Sequence, residues 1–171
     1  MTVIAWIVEG TWPACVDAAR SHAPEEAEIV LLHVTGPDES GVAHGAFAGL
    51  LGHARSDRDP GDTVEDMAAA AGERLLEEAA EQLGRPCTRA ARSGRVEHEV
   101  VAAAEGADLL VLARDGDPSR LGPHSLGPAG RFVVDHAPCP VLLVWPEAAP
   151  GTDTIAAPPL PPPPPNLPHH M

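Results

Sequence analysis

Short apolar runs alternate with amphipathic stretches along the first 145 residues of the chain. Val3–Val8 (VIAWIV), Ile29–Val34 (IVLLHV), Asp108–Ala113 (DLLVLA) and Val141–Val144 (VLLV) are aliphatic without polar alternation, the pattern of strands covered on both faces. Cys87–Arg92 is a weaker fifth strand. Between these runs the spacing predicts helices. Pro13 suits a first helical turn that leads to about His22, and Pro24 stops it. Thr63-x-x-Asp66 resembles a capping box, and Val64, Met67, Ala71, Leu75, Ala79 and Leu83 follow at steps of three or four before Gly84 and Pro86. That series, with Val64, Met67, Ala71 and Leu75 at its head, is expected to face the core. Two shorter helices are predicted, from about Arg95 to Glu105 with Val96 and Val100 on one face, and from Pro128 to His136.

Strands of this kind alternating with helices predict an α/β domain, residues 1–145, with an open parallel sheet and helices on both faces. Ligands of such sheets bind beyond the carboxyl ends of the strands, where the strand order reverses. The candidate positions are therefore Glu9-Gly10-Thr11, the turn after Val34, and the loop after Ala113. Residues 36–62 are rich in Gly, Asp, His and Pro, with Phe47, Leu50 and Leu51 able to form one short helix. A loop of that length in a compact domain is expected to be functional or mobile. Residues 146–171 hold ten of the 20 prolines, including Pro161–Pro165, and predict a disordered proline-rich tail.

Composition narrows the function. Eleven basic residues against 25 acidic ones give a net charge of −14, which excludes nucleic acid and anionic membrane as partners. All eleven are Arg, so lysine Schiff-base chemistry and a P-loop lysine are excluded by inventory. Cys15, Cys87 and Cys139 contain no C-x-x-C, and nine His residues show no metal-ligand spacing, so reduced thiols and no metal site are expected. Cys139, between two prolines, reads as a packed thiol. Neither G-x-S-x-G nor a paired-carboxylate or Cys/His arrangement is present, so no catalytic residue is assigned, and slow ATP hydrolysis is the most that an enzyme reading can ask. With no basic stretch before the first apolar run and no apolar run near ~20 residues, a cytoplasmic chain is expected.

Four segments together resemble the universal stress protein family: IAWIVEGT (Ile4–Thr11), IVLLHV (Ile29–Val34), GADLLVLARDG (Gly106–Gly116) and SLGPAGRFVVDHAPCPVLLV (Ser125–Val144). The resemblance implies a five-stranded sheet in order 3-2-1-4-5 and a homodimer formed through the last strand. Some members of that family bind ATP, with Mg, and others do not. Binders carry G-x2-G-x9-G-[ST] after the fourth strand and an acidic residue after the first. Carried over, Glu9 would hold the nucleoside end, beside Gly10, Thr11 and Val34. The loop running through Ala113, Arg114, Gly116, Gly127, Pro128 and Ala129 would hold the phosphates.

The chain departs from that pattern. Ala113 stands at the first glycine, ten residues separate Gly116 from Gly127, Pro128 stands at the hydroxyl position, and Glu9 replaces the usual Asp. Pro128 removes up to two phosphate donors, each worth roughly 1.5–3 kcal/mol, so affinity would fall on the order of 10²- to 10⁴-fold. Arg114, Arg120, Arg131 and Ser125 could compensate, whereas Asp115 and Asp117 would oppose. Two readings stand at this point. One is a stress-response module that binds an adenine nucleotide. The other is a nucleotide-free homodimeric scaffold that recruits an unidentified protein partner through residues 36–62 or the tail.

Overall fold

The computed structural model describes residues 1–37 and 60–164. Five strands, β1 (Thr2–Trp6), β2 (Glu28–Thr35), β3 (Thr88–Ser93), β4 (Leu109–Ala113) and β5 (Val141–Val144), form one sheet in order β3-β2-β1-β4-β5. Every neighbouring pair is parallel, with Val3 opposite Ile29 on one side and Leu109 on the other. Among the described residues the α-helices are α1 (Trp12–His22), α2 (Pro60–Leu83), α3 (Val96–Ala103) and α4 (Pro128–His136). The short helix expected around Phe47, and most of the segment 36–62, lie outside the described residues.

The core has two layers because side chains alternate across each strand. Val3 and Ala5 of β1 and Ile7 just beyond it, with Ile29, Leu31 and Val111, meet Val16, Ala19, Leu76 and Leu83 of α1 and α2. Ile4, Trp6, Leu32, Val34, Leu110 and Leu112 point the other way, onto Val100 of α3 and Val133 of α4. Complete burial of one such leucine stabilises the fold by roughly 1.5–3 kcal/mol. Strand β1 is regular only to Trp6, two residues short of the run ending at Val8, although the Ile7 N–H still donates to the Leu32 carbonyl at 2.7 Å. Strand β3 is exposed at most positions, which accounts for its weak pattern: it is an edge strand with polar neighbours.

The expected inner face of α2 needs correction. Met67 is 66% exposed and Ala71 is exposed, whereas Gly72, Leu76, Ala79 and Leu83 are buried and Leu75 is half-buried. A series at steps of four drifts about 40° around a helix of 3.6 residues per turn with each step. Counted back from Leu83, Ala71 is thus turned by about 120° and Met67 by about 160°. Only the carboxyl-terminal part of the series stays over the sheet. The helix ends where Gly84 adopts a left-handed conformation (φ +67°), a conformation that carries no Cβ penalty in glycine.

Among the described residues, no helix is long and apolar enough to cross a membrane. Beyond β5, the chain makes a short 3-10 turn at Thr152–Thr154, and the Leu121 N–H donates to Thr154 Oγ1 at 3.0 Å. The start of the proline-rich segment therefore lies against the loop after β4. Residues 155–164 form no helix or strand and are exposed, with Leu160 92% accessible.

Candidate functional site

The strand order reverses between β1 and β4, and a cavity of about 590 Å³ opens there, at the carboxyl ends of β1, β2 and β4. Volumes of this size are typical of sites for small organic ligands. After β1 the chain turns sharply. Gly10 has φ +88°, and the Thr11 and Trp12 N–H groups both donate to the Val8 carbonyl, at 3.2 and 2.9 Å. This turn sets Glu9 and Thr11 at the mouth of the cavity.

The walls are largely apolar. Val8, Val34, Leu75, Val96, Ala113 and Ala129 line them. His33 of β2 forms part of the floor: its Nδ1 lies 2.9 Å from the Ile7 carbonyl. A carbonyl only accepts, so Nδ1 carries the proton of that bond. Gly72 of α2 lies so close that a Cβ there would stand 2.8 Å from the His33 ring. His33 also borders a second cavity of about 490 Å³, between the ends of β2 and β3 and α2.

The loop between β4 and α4 is closed on itself. The Gly116 N–H donates to the Ser125 carbonyl at 3.0 Å, and the Asp117 N–H to that of His124 at 2.8 Å. A Cβ on Gly116 would collide with the His124 carbonyl oxygen. The Asp117 carboxylate accepts from the Ser119 hydroxyl and backbone N–H, which hold it below the usual carboxylate range. Arg114 points behind the loop. Its Nη1 donates to Ser125 Oγ at 2.6 Å, and its guanidinium lies 4.6 Å from the Trp145 ring centroid. Ser125 is the buried polar residue of the described chain, and its hydroxyl donates to the Gly122 carbonyl. Arg114 Nε is buried with no partner among the described residues.

The start of α4 has its own acceptor. Asp115 takes the Gly127 N–H on Oδ1 at 2.6 Å and the Gly130 N–H on Oδ2 at 3.1 Å. Pro128, at the first helical position, has no N–H to offer. Three carboxylates, Glu9, Glu97 and Asp115, face the cavity, and no arginine is among its described lining residues. Glu97 is held below its usual range by its own backbone N–H and then by the Arg95 guanidinium, at 2.6 Å.

Of the ten positions expected to form the site, Glu9, Thr11, Val34, Ala113 and Ala129 line the cavity together. Gly10 shapes the turn beneath it. Arg114 braces the loop instead of facing the cavity, Gly116 is consumed by the loop pairing, and Gly127 and Pro128 flank the bound Asp115 carboxylate. His33 and Glu97 escaped sequence reasoning. A histidine inside the aliphatic run IVLLHV was the available signal for the first; Glu97 looks like any acidic residue in a first helical turn.

ATP with Mg fits these residues in part. Glu9 and the apolar walls suit a nucleoside. The phosphate end meets amides already bonded to the protein's own oxygens, and carboxylates where cations would serve it. Among the described residues no cluster of three or more His, Cys, Asp or Glu could hold a metal ion.

A family model for the universal stress protein family matches residues 9–144. No curated protein matches the chain. Among solved structures, hypothetical protein MJ0577 superposes with a TM-score of 0.58 at 20% identity, covering 84% of this chain and 94% of its own. A universal stress protein in complex with cAMP gives 0.57 at 18% identity, with coverage of 86% and 98%. An Arabidopsis thaliana universal stress protein family protein with AMP bound gives 0.52 at 19% identity, with coverage of 90% and 94%. At these identities the likeness is one of fold.

Proposed function

The chain belongs to the universal stress protein family, and on that premise we propose that it is a regulatory module whose crevice takes the adenosine part of an adenine nucleotide. The observation that carries this reading is the cavity of about 590 Å³ joining Glu9 to Ala113 and Ala129 across the switch point of the sheet. A nucleoside offers a flat apolar base to walls such as Val34, Leu75 and Val96, and ribose hydroxyls that can donate to Glu9. Two proteins of the same fold carry cAMP and AMP, which supports an adenine ligand here.

Thermal melting with adenosine, cAMP, AMP and Mg-ATP tests the reading. A ligand present at ten times its Kd stabilises by about 1.4 kcal/mol, a rise of roughly 3–6 °C for a domain of this size. Ala129→Trp, which fills the crevice from α4, should abolish the rise. No shift with any of the four at millimolar concentration ends the nucleotide reading, and a shift that persists in Ala129→Trp puts the site elsewhere.

The scaffold reading draws on a different observation. All four residues of β5 are only half-buried, whereas Leu110 to Ala113 of its neighbour β4 are buried. Among the described strands, β5 pairs only with β4. A second copy of the chain along that edge would cover it and give a homodimer. Sedimentation should then yield twice the 17.7 kDa chain mass, and a monomer at micromolar concentration refutes the pairing. Recruitment of a further protein through residues 36–62 or the tail is part of this second reading.

A further inference from the structure

We propose that Asp115 sets the ligand class of the crevice: its carboxylate stands where a ligand's first phosphate would bind, so the site prefers uncharged adenosine to AMP or ATP. The inference rests on the adenosine reading above and deepens it. A phosphate entering a crevice of this kind seeks the free N–H groups at the start of the neighbouring helix. Here Gly127 and Gly130 direct those groups onto the two oxygens of Asp115, at 2.6 and 3.1 Å. A carboxylate offers what a phosphate would offer there, a negative charge spread over acceptor oxygens.

The surroundings are shaped for this acceptor. A Cβ on Gly130 would stand 2.6 Å from Asp115 Oδ1, and one on Gly127 would stand 3.2 Å from it, so two glycines admit the carboxylate. Several other donors of the loop are engaged elsewhere. Gly116 and Asp117 bond the 124–125 backbone, and Arg131 Nη2 donates to the Pro123 carbonyl at 2.6 Å. Asp115 follows β4 by two residues, so the chain holds its carboxylate beside these amides at an effective concentration that a free phosphate cannot match. A phosphate would also enter a space already faced by Glu9 and Glu97. Adenosine meets neither obstacle.

The test measures adenosine, AMP and ATP binding to wild type, Asp115→Asn and Asp115→Ala by calorimetry, with inorganic phosphate as a separate probe in thermal melts. Wild type should bind adenosine at least about tenfold tighter than AMP or ATP, and Asp115→Ala should cut that preference by at least about tenfold. Asp115→Asn keeps the size and removes the charge, and should move the preference in the same direction even if the alanine variant folds poorly. Inorganic phosphate should raise the melting temperature of Asp115→Ala and leave wild type unchanged. Wild type that binds ATP or AMP as tightly as adenosine overturns the role of Asp115 while keeping the crevice. If no protein binds adenosine yet phosphate still stabilises Asp115→Ala, the adenosine reading fails and the carboxylate's occupation of the anion position stands. If the substitutions change neither ligand preference nor phosphate response, the inference is wrong.

Discussion

Replacing Ser125 by alanine tests whether the loop after β4 is a self-contained brace or a set of ligand contacts held in reserve. Ser125 Oγ accepts from Arg114 Nη1 and donates to the Gly122 carbonyl, both at 2.6 Å, in a residue 1% exposed. A hydrogen bond to a charged group contributes roughly 1.5–3 kcal/mol and a neutral one roughly 0.5–1.5 kcal/mol. Arg114 is only half-buried, which argues for the lower ends, so Ser125→Ala should cost about 2–3 kcal/mol. The melting temperature should then fall by about 4–12 °C.

The cost arises partly because Arg114 loses its acceptor while its Nε already lacks one. Removing both partners should therefore hurt less than the sum of the single changes. Arg114→Met with Ser125→Ala should show a coupling of at least about 1.5 kcal/mol in a double-mutant cycle. Arg114→Met should also change the fluorescence of Trp145, whose ring the guanidinium covers at 4.6 Å. A melting shift under about 2 °C for Ser125→Ala, or strictly additive single changes, refutes the brace. So does an Arg114→Met protein of normal stability that has lost adenosine binding, since that outcome makes Arg114 a ligand residue.

Leu76→Ala removes a fully buried side chain between α2 and the sheet, and should cost about 2–5 kcal/mol in denaturant unfolding; a cost below about 1 kcal/mol contradicts the placement of α2. Burial pushes the Cys15 thiol up to about 12, with a smaller opposing contribution from the Ala113 backbone, so in the native protein it should stay unalkylated by iodoacetamide at pH 8. Cys87 and Cys139 are also raised by burial but less enclosed, and should label slowly; equal labelling of all three refutes this account. Glu97 titrates below its ordinary range, so its contribution to stability is present above that range and is lost as pH falls through the folded-state value. In an NMR titration, Arg95→Ala should move its midpoint upward only part of the way, because the Glu97 backbone N–H is the larger cause; a full return to the ordinary value contradicts that order.

The architecture was legible because it depends on local pattern. Four aliphatic runs without polar alternation demand burial on both faces, and the helical stretches between them leave a parallel sheet as the arrangement that supplies it. Breakers such as Gly84 and Pro86 act through their own backbone, so they placed a helix end correctly from the sequence. Where a reading needed angles summed over many residues, it drifted, as at Met67 and Ala71 on α2.

The site was legible in its positions and much less in its chemistry. Glu9 and Ala113 could be named because strand ends at a switch point converge in a sheet of this order, and Ala129 because the resemblance to the family pointed to it. Which of the loop's donors and acceptors find each other was decided by folding. Asp115 and Gly130 are 15 residues apart, and only the approach of α4 to the end of β4 brings that carboxylate within 3.1 Å of that amide. The same approach turned Arg114 onto Ser125 and Trp145, away from the cavity. Hydrogen bonds act over about 3 Å, a distance that chain pattern does not specify, whereas burial depends on side-chain type and periodicity, which it does. The sequence alone therefore determined the sheet and where its crevice opens, and the packed loop decided which charges face it.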